Sequence, residues 1–218
     1  MPAKSVNQPS YLLPADDEWA AEVEIKRSHF IGIARRTATE EQAREFIDDV
    51  RSRYPDARHH CTAFVVHMDN AQPIERSSDD GEPAGTAGQP MLEVLRGSEI
   101  QDITVVVVRY FGGVKLGTGG LVRAYQDTTK AVLDEVAVVR RRPLELYTVS
   151  IPHADAGAAE SDIRRSGIEV LNVDYAAEAI FTLAVEPGTD IDGVIARVTS
   201  GRVEPKAAGE RWVDGAVK

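Results

Sequence analysis

The chain has 218 residues, 43% of them hydrophobic and 28% charged, with 17 glycines and 11 prolines. That balance excludes a disordered or fibrous chain, and the length holds one large domain or two ordinary ones whose cores need no disulfide or metal. Twenty-five Lys and Arg against 35 Asp and Glu give a net charge of −10, which excludes a protein that coats DNA, other polyanions or an anionic membrane through its overall field.

Residues 1–18, rich in Pro, Ser and Asn, read as a flexible lead. They hold no apolar segment behind Lys4 of the kind a secretory signal needs, and no run of 18 apolar residues occurs, so a cytoplasmic protein without a membrane span is expected. The lone Cys61 fits a reducing compartment, since it cannot form an internal bridge. From Glu22 to Lys26 polar and apolar residues alternate, the period of a half-buried strand, and Phe30 to Ile33 reads as its neighbour or continuation. Thr39 stands ahead of Glu40 and Glu41 with Gln42 three residues on, a capping-box pattern. Ala43, Phe46, Ile47 and Val50 then fall at helical spacing, and Pro55 closes the segment. Residues 61–66 form a buried-strand candidate. Residues 103–108, Ile-Thr-Val-Val-Val-Val, are apolar toward both faces and β-branched, which predicts a central strand.

After Pro143 the pattern changes. A strand is expected over 144–151, a helix over 153–166 ended by Gly167, and a second strand over 168–173. A third strand over 179–185, a helix over 190–199 stopped by Gly201 and a last strand through Trp212 complete a β-α-β-β-α-β order, which is ferredoxin-like. The chain thus divides into a domain over 19–143 and another over 144–218, an α+β protein with its boundary in a short connection, since no long Gly/Ser-rich linker occurs. Residues 1–143 carry net −4 and residues 144–218 net −6 in about half the length. The sign reverses over 105–142, where seven basic residues face three acidic ones, and an anionic partner is expected there.

Nine of the 17 glycines lie within residues 81–120, and all but Gly97 fall in two groups that each precede a helix. One group runs through Asp79, Asp80, Gly81, Glu82, Gly85, Thr86 and Gly88 to a helix with Pro90 at its first position. The other runs through Arg109, Tyr110, Phe111, Gly112, Gly113, Lys115, Gly117, Gly119 and Gly120 to a helix from Leu121 to about Val136 that carries Arg123. Glycine lets backbone approach a ligand closely, and the first N–H groups of a helix lack internal partners, so either loop could cradle an anion with Arg109 and Lys115 alongside. The same loops serve equally to turn a strand into a helix, and neither matches a Walker or dinucleotide fingerprint. Asp79, Asp80 and Glu82 offer oxygens to Mg²⁺ beside a phosphate, or cap a helix and order a turn. His59 and His60, being adjacent on a strand, point to opposite faces and do not bind one ion together, and Cys61 reads as a small core residue. Of Tyr110 and Phe111, alternation leaves one for a ligand.

Gly88, Met91-Leu92, Leu95, Ile100, Val106-Val107, Arg109-Tyr110-Phe111-Gly112-Gly113 and Leu116-Gly117 resemble the signature of the YigZ/IMPACT family. The flanking Arg27-Ser28-His29-Phe30-Ile31, Ser78-Asp79-Asp80-Gly81-Glu82-Pro83 and Lys115 to Tyr125 runs are similar to it as well. The resemblance implies an N-terminal ribosomal-protein domain-2-like α/β sandwich, similar to domain IV of elongation factor G, and a ferredoxin-like C-terminal domain similar to domain V of that factor. It implies a link to translation, which the eukaryotic relatives regulate by competing for the scaffold that activates an initiation-factor kinase, a pathway bacteria lack. Three readings stay open: a regulator that binds RNA or the ribosome through the Gly-rich basic loop, a hydrolase or transferase acting on a phosphorylated small molecule with or without Mg²⁺, and a surface that binds a protein partner. No resident cofactor or metal is expected.

Overall fold

A computed structural model describes residues 10–69 and 71–217. The described residues form two compact units, one of residues 11–140 with 215–217, the other of residues 141–214 with Ser10. The N-terminal part of the expected lead lies outside the described residues. Its remainder is not flexible: Tyr11–Pro14 is a strand, β1, with Tyr11 and Leu13 buried. Tyr11 donates its hydroxyl to buried Asp102, and Leu12 C=O accepts from Gln101 N–H. Two core side chains and these bonds hold a stretch that Pro and polar composition had marked as loose.

The first unit continues with β2 (Glu18–Ile25), β3 (Ser28–Arg36), α1 (Glu40–Arg53), β4 (His59–Val66), β5 (Ile74–Ser78), α2 (Gly88–Ser98), β6 (Ile103–Tyr110) and α3 (Thr118–Glu135). Its sheet has the order β2-β3-β6-β4-β5 with every neighbouring pair antiparallel. Sequence alternation explains the layering. Val106 and Val108 join Ile33, Phe64, Phe46 and Val50 under α1, while Val105 and Val107 join Phe30, Cys61, Met91, Leu95 and Tyr125 under α2 and α3. An unbroken apolar strand is therefore what a sheet covered on both faces requires of its centre. Thr39 caps α1 through Oγ1, which accepts from Gln42 N–H, and Gln42 Oε1 accepts from Ala38 N–H, one residue earlier than in the usual reciprocal box.

The second unit comprises β7 (Val138–Ile151) from Arg141 onward, α4 (His153–Arg165), β8 (Glu169–Tyr175), β9 (Ala179–Val185), α5 (Ile191–Thr199) and β10 (Lys206–Ala216) up to Asp214. Strand order β10-β7-β9-β8, with β9 antiparallel to both neighbours, is the ferredoxin-like arrangement. Val149, Ile151, Phe181 and Leu183 from the sheet pack with Ala159, Ile163 and Ile195 from its two helices. The unit boundary falls at Arg140/Arg141 instead of in a connection after Pro143, because Pro143 lies inside the single long strand β7.

The two-sided burial of β6 makes an unusual mutational signature. Val106→Ala and Val107→Ala are each expected to lose about 2 kcal/mol of stability in urea unfolding. A strand with one wet face would lose that at only one of two consecutive positions.

Candidate functional site

The C-terminal end of β6 and the N-terminal ends of α2 and α3 bring the two glycine loops together. Arg109, the penultimate residue of β6, donates from Nη1 to Glu82 Oε1 at 2.6 Å, and Tyr125 of α3 donates its hydroxyl to the same oxygen at 2.7 Å. Arg109 and Glu82 are only 7% and 8% exposed. The expectation of a surface Arg109 gripping a ligand phosphate is corrected accordingly: its charge is already matched by a carboxylate inside the domain. The pair is single-bonded, since Arg109 Nε finds no acceptor among the described residues. The guanidinium also lies over two aromatic rings, Phe30 at 5.4 Å and Phe111 at 5.6 Å from their centroids. Arg109 thus positions Phe111 from beneath.

The carboxylates of the first loop are engaged by protein donors. Asp79 accepts from the N–H groups of Gly85, Ala87 and Gly88 at 2.8 to 2.9 Å, so the start of α2 is capped by the chain's own anion. Burial acts to raise its carboxyl, but the three N–H donors outweigh that and hold it below the ordinary value of 3.8. Asp80 accepts from His60 N–H and the Arg51 guanidinium. Thr86 is buried and donates to Pro83 C=O. Gly81 faces the His59 ring, and Gly85 lies exposed in the turn. Gly88 opens α2 where a Cβ would sit 2.7 Å from the Ser78 backbone, so only glycine lets α2 meet the end of β5 this closely. Among the described residues no group of three His, Cys, Asp or Glu could hold a metal ion. His59 and His60 donate ring N–H groups to the carbonyls of Asp80 and Tyr54. Cys61 donates to Asp79 C=O, and burial pushes its thiol well above the ordinary range, as it does the Tyr125 phenol.

The second loop behaves differently. Tyr110 packs partly buried on the α1 side and donates to Asp56, whereas Phe111 is 55% exposed. Gly113, Lys115, Gly117 and Gly119 are exposed, Gly120 lies against Leu116, and Arg123 is exposed one turn further along α3. Among the described residues no side chain caps α3, whose N-cap is Gly117, and its first turn has no acidic residue. Gly112 is pressed so tightly to the β2–β3 turn that a Cβ would fall 2.0 Å from the backbone of Arg27, and its N–H donates to Ser28 Oγ. The seven basic residues of 105–142 do not form one patch: Arg109 pairs with Glu82, Arg141 with Asp214 and Arg142 with Glu186, while Lys115, Arg123, Lys130 and Arg140 are exposed on the first unit. Sequence reading missed Tyr125 as the third member of the buried cluster; a lone Tyr on an apolar helix face carries no signal that its hydroxyl meets a carboxylate.

Residues 26–133 match the family model described as the Impact N-terminal domain. The chain is 42% identical over 176 residues to IMPACT family member YigZ of Escherichia coli (strain K12), covering 81% of this chain and 86% of that one. It is 38% identical over 165 residues to IMPACT family member YvyE of Bacillus subtilis (strain 168), covering 76% and 75%. A crystal structure described as that of a hypothetical protein is 37% identical, covers 92% of this chain and 98% of its own, and superposes with a TM-score of 0.61.

Removing one partner of the buried pair strands the other. Glu82→Gln is expected to cost about 3 kcal/mol in urea unfolding and Tyr125→Phe about 1.5 kcal/mol. Asp79 adds a pH signature. A carboxyl depressed in the folded state contributes stability above its unfolded value near 3.8, and that contribution disappears as pH falls through the lower folded value. Acid unfolding curves should therefore show a smaller loss of stability below about pH 4 in Asp79→Asn than in the wild type.

Proposed function

The chain belongs to the IMPACT family, and from that premise we propose that it is a cytoplasmic, translation-associated regulatory protein that binds RNA at the ribosome through residues 111–123. The observation that carries the reading is the contrast between the two loops. The start of α2 is occupied by Asp79, whereas no side chain among the described residues is bonded to the first N–H groups of α3, which begins beside exposed Phe111, Lys115 and Arg123. Free N–H groups at a helix start, two cations and an aromatic ring held on one face by Arg109 are the parts that a single-stranded nucleic acid uses for its phosphates and one base. The link to translation comes from the family, through the resemblance to its eukaryotic members. The acidic remainder of the chain keeps the contact small and local. The carboxylates that a phosphoester hydrolase would need are committed to protein donors, which favours binding over catalysis.

The test is RNA binding and ribosome co-sedimentation across a salt series. Log affinity should fall with log salt, and Lys115→Ala with Arg123→Ala should flatten that slope by about 1.4, the value for two lost single-strand phosphate contacts. Phe111→Ala should weaken binding by about 1–3 kcal/mol with the slope unchanged. Absent binding, or binding that ignores all three changes, contradicts the reading.

A further inference from the structure

The last register pair of the β2–β3 hairpin is Ile25 with Ser28, so Lys26 and Arg27 are its two-residue connection. Both have positive φ, 48° and 65°. That is the backbone of a type I′ turn, which matches strand twist but asks for left-handed conformations that Asn-Gly adopts far more readily than long side chains do. A turn with a structural role alone would be better served by almost any Asn, Asp or Gly. Here the chain places two adjacent cations in it, in a protein of net charge −10.

Their surroundings say what the cations face. Both side chains are exposed, and neither makes an ion pair with a described residue. Glu22, on the same hairpin, takes His29 at 2.6 Å. The turn is fastened to the 111–117 loop by backbone packing: Gly112 abuts the Arg27 carbonyl, and its N–H donates to the fully buried Ser28 hydroxyl. The neighbour of Gly112 in sequence is exposed Phe111, and Lys115 follows three residues later. A turn with two cations is therefore joined to the segment that carries the exposed ring, across some 80 residues of sequence, by the separation of Ser28 and Gly112.

We propose that the Lys26–Arg27 turn belongs to a binding surface for single-stranded RNA, where it supplies two phosphate contacts beside the base-stacking Phe111. This rests on the RNA-binding reading of the 111–123 surface and extends it across the β2–β3 hairpin. Phosphate contacts explain why cations occupy a turn whose geometry disfavours them, and the pinned backbone explains how they hold position without partners of their own.

The experiment uses the full chain, a short fluorescein-labelled oligouridine and the double change Lys26→Asn with Arg27→Gly. That sequence is the preferred one for the turn, so the thermal midpoint should stay level or rise. Affinity should nevertheless fall about tenfold or more at low salt, and the slope of log affinity against log salt should lose about 1.4. The charge-conserving exchange Lys26→Arg with Arg27→Lys should keep the wild-type slope. Wild-type affinity and slope in the Asn-Gly variant would overturn this inference while leaving the 111–123 reading intact. A weakened affinity with an unchanged slope would also overturn it, since a change of shape alone then accounts for the loss. Equal competition by polyglutamate would assign the turn to an acidic protein and overturn the RNA assignment. Failure of the wild type to bind oligouridine at all would sink the 111–123 reading, and this inference with it.

Discussion

Glu82 and Arg109 stand 27 residues apart in sequence and meet inside the first domain, one from each glycine loop. Neither charge is tolerable there alone, because an unpaired ion in a dry interior costs several kcal/mol. Their union therefore ties the turn after β5 to the end of β6, and the Tyr125 hydroxyl extends the tie to α3. Everything at this end of the sheet inherits its position from that contact. Phe30 and Tyr125 pack edge to face beside it, and the guanidinium lies over the rings of Phe30 and Phe111.

The division of labour that results is one of depth. The first loop is closed upon itself: Asp79 satisfies the start of α2, Asp80 ties the turn to β4 and α1, and Thr86 bonds back to Pro83. The second loop keeps its polar capacity outward. Two helix N-termini that look equivalent as glycine-rich sequence thus differ in their chemistry, because one comes with an aspartate at the right distance and the other does not.

This depth is what the sequence could not disclose. Elements with a strong local period were legible: the β-branched run of β6, the Thr39-capped α1 and the ferredoxin-like order of the second domain all follow from patterning that each segment carries within itself. So was the capping alternative for Asp79, since Asp ahead of a helix has a physical use. Arg109 reads as a ligand contact because a cation beside a glycine loop is exposed unless a distant residue covers it, and Glu82 does so only through tertiary folding. β1 was hidden because its two core residues, Tyr11 and Leu13, sit in a stretch bounded by Pro9 and Pro14. The Lys26–Arg27 turn was hidden because it lacks the Gly, Asn or Asp by which such turns announce themselves.

The proposed nucleic-acid contact is confined to one outward surface, which runs from the β2–β3 turn past the buried Arg109 to the start of α3. Photochemical crosslinking of the full chain to single-stranded RNA, followed by peptide mass spectrometry, reads this directly. The expected crosslinks fall on Phe111 and on peptides containing Lys26, Arg27 and Lys115. Crosslinks confined to the ferredoxin-like domain, or to the α1 face of the first sheet, would contradict it.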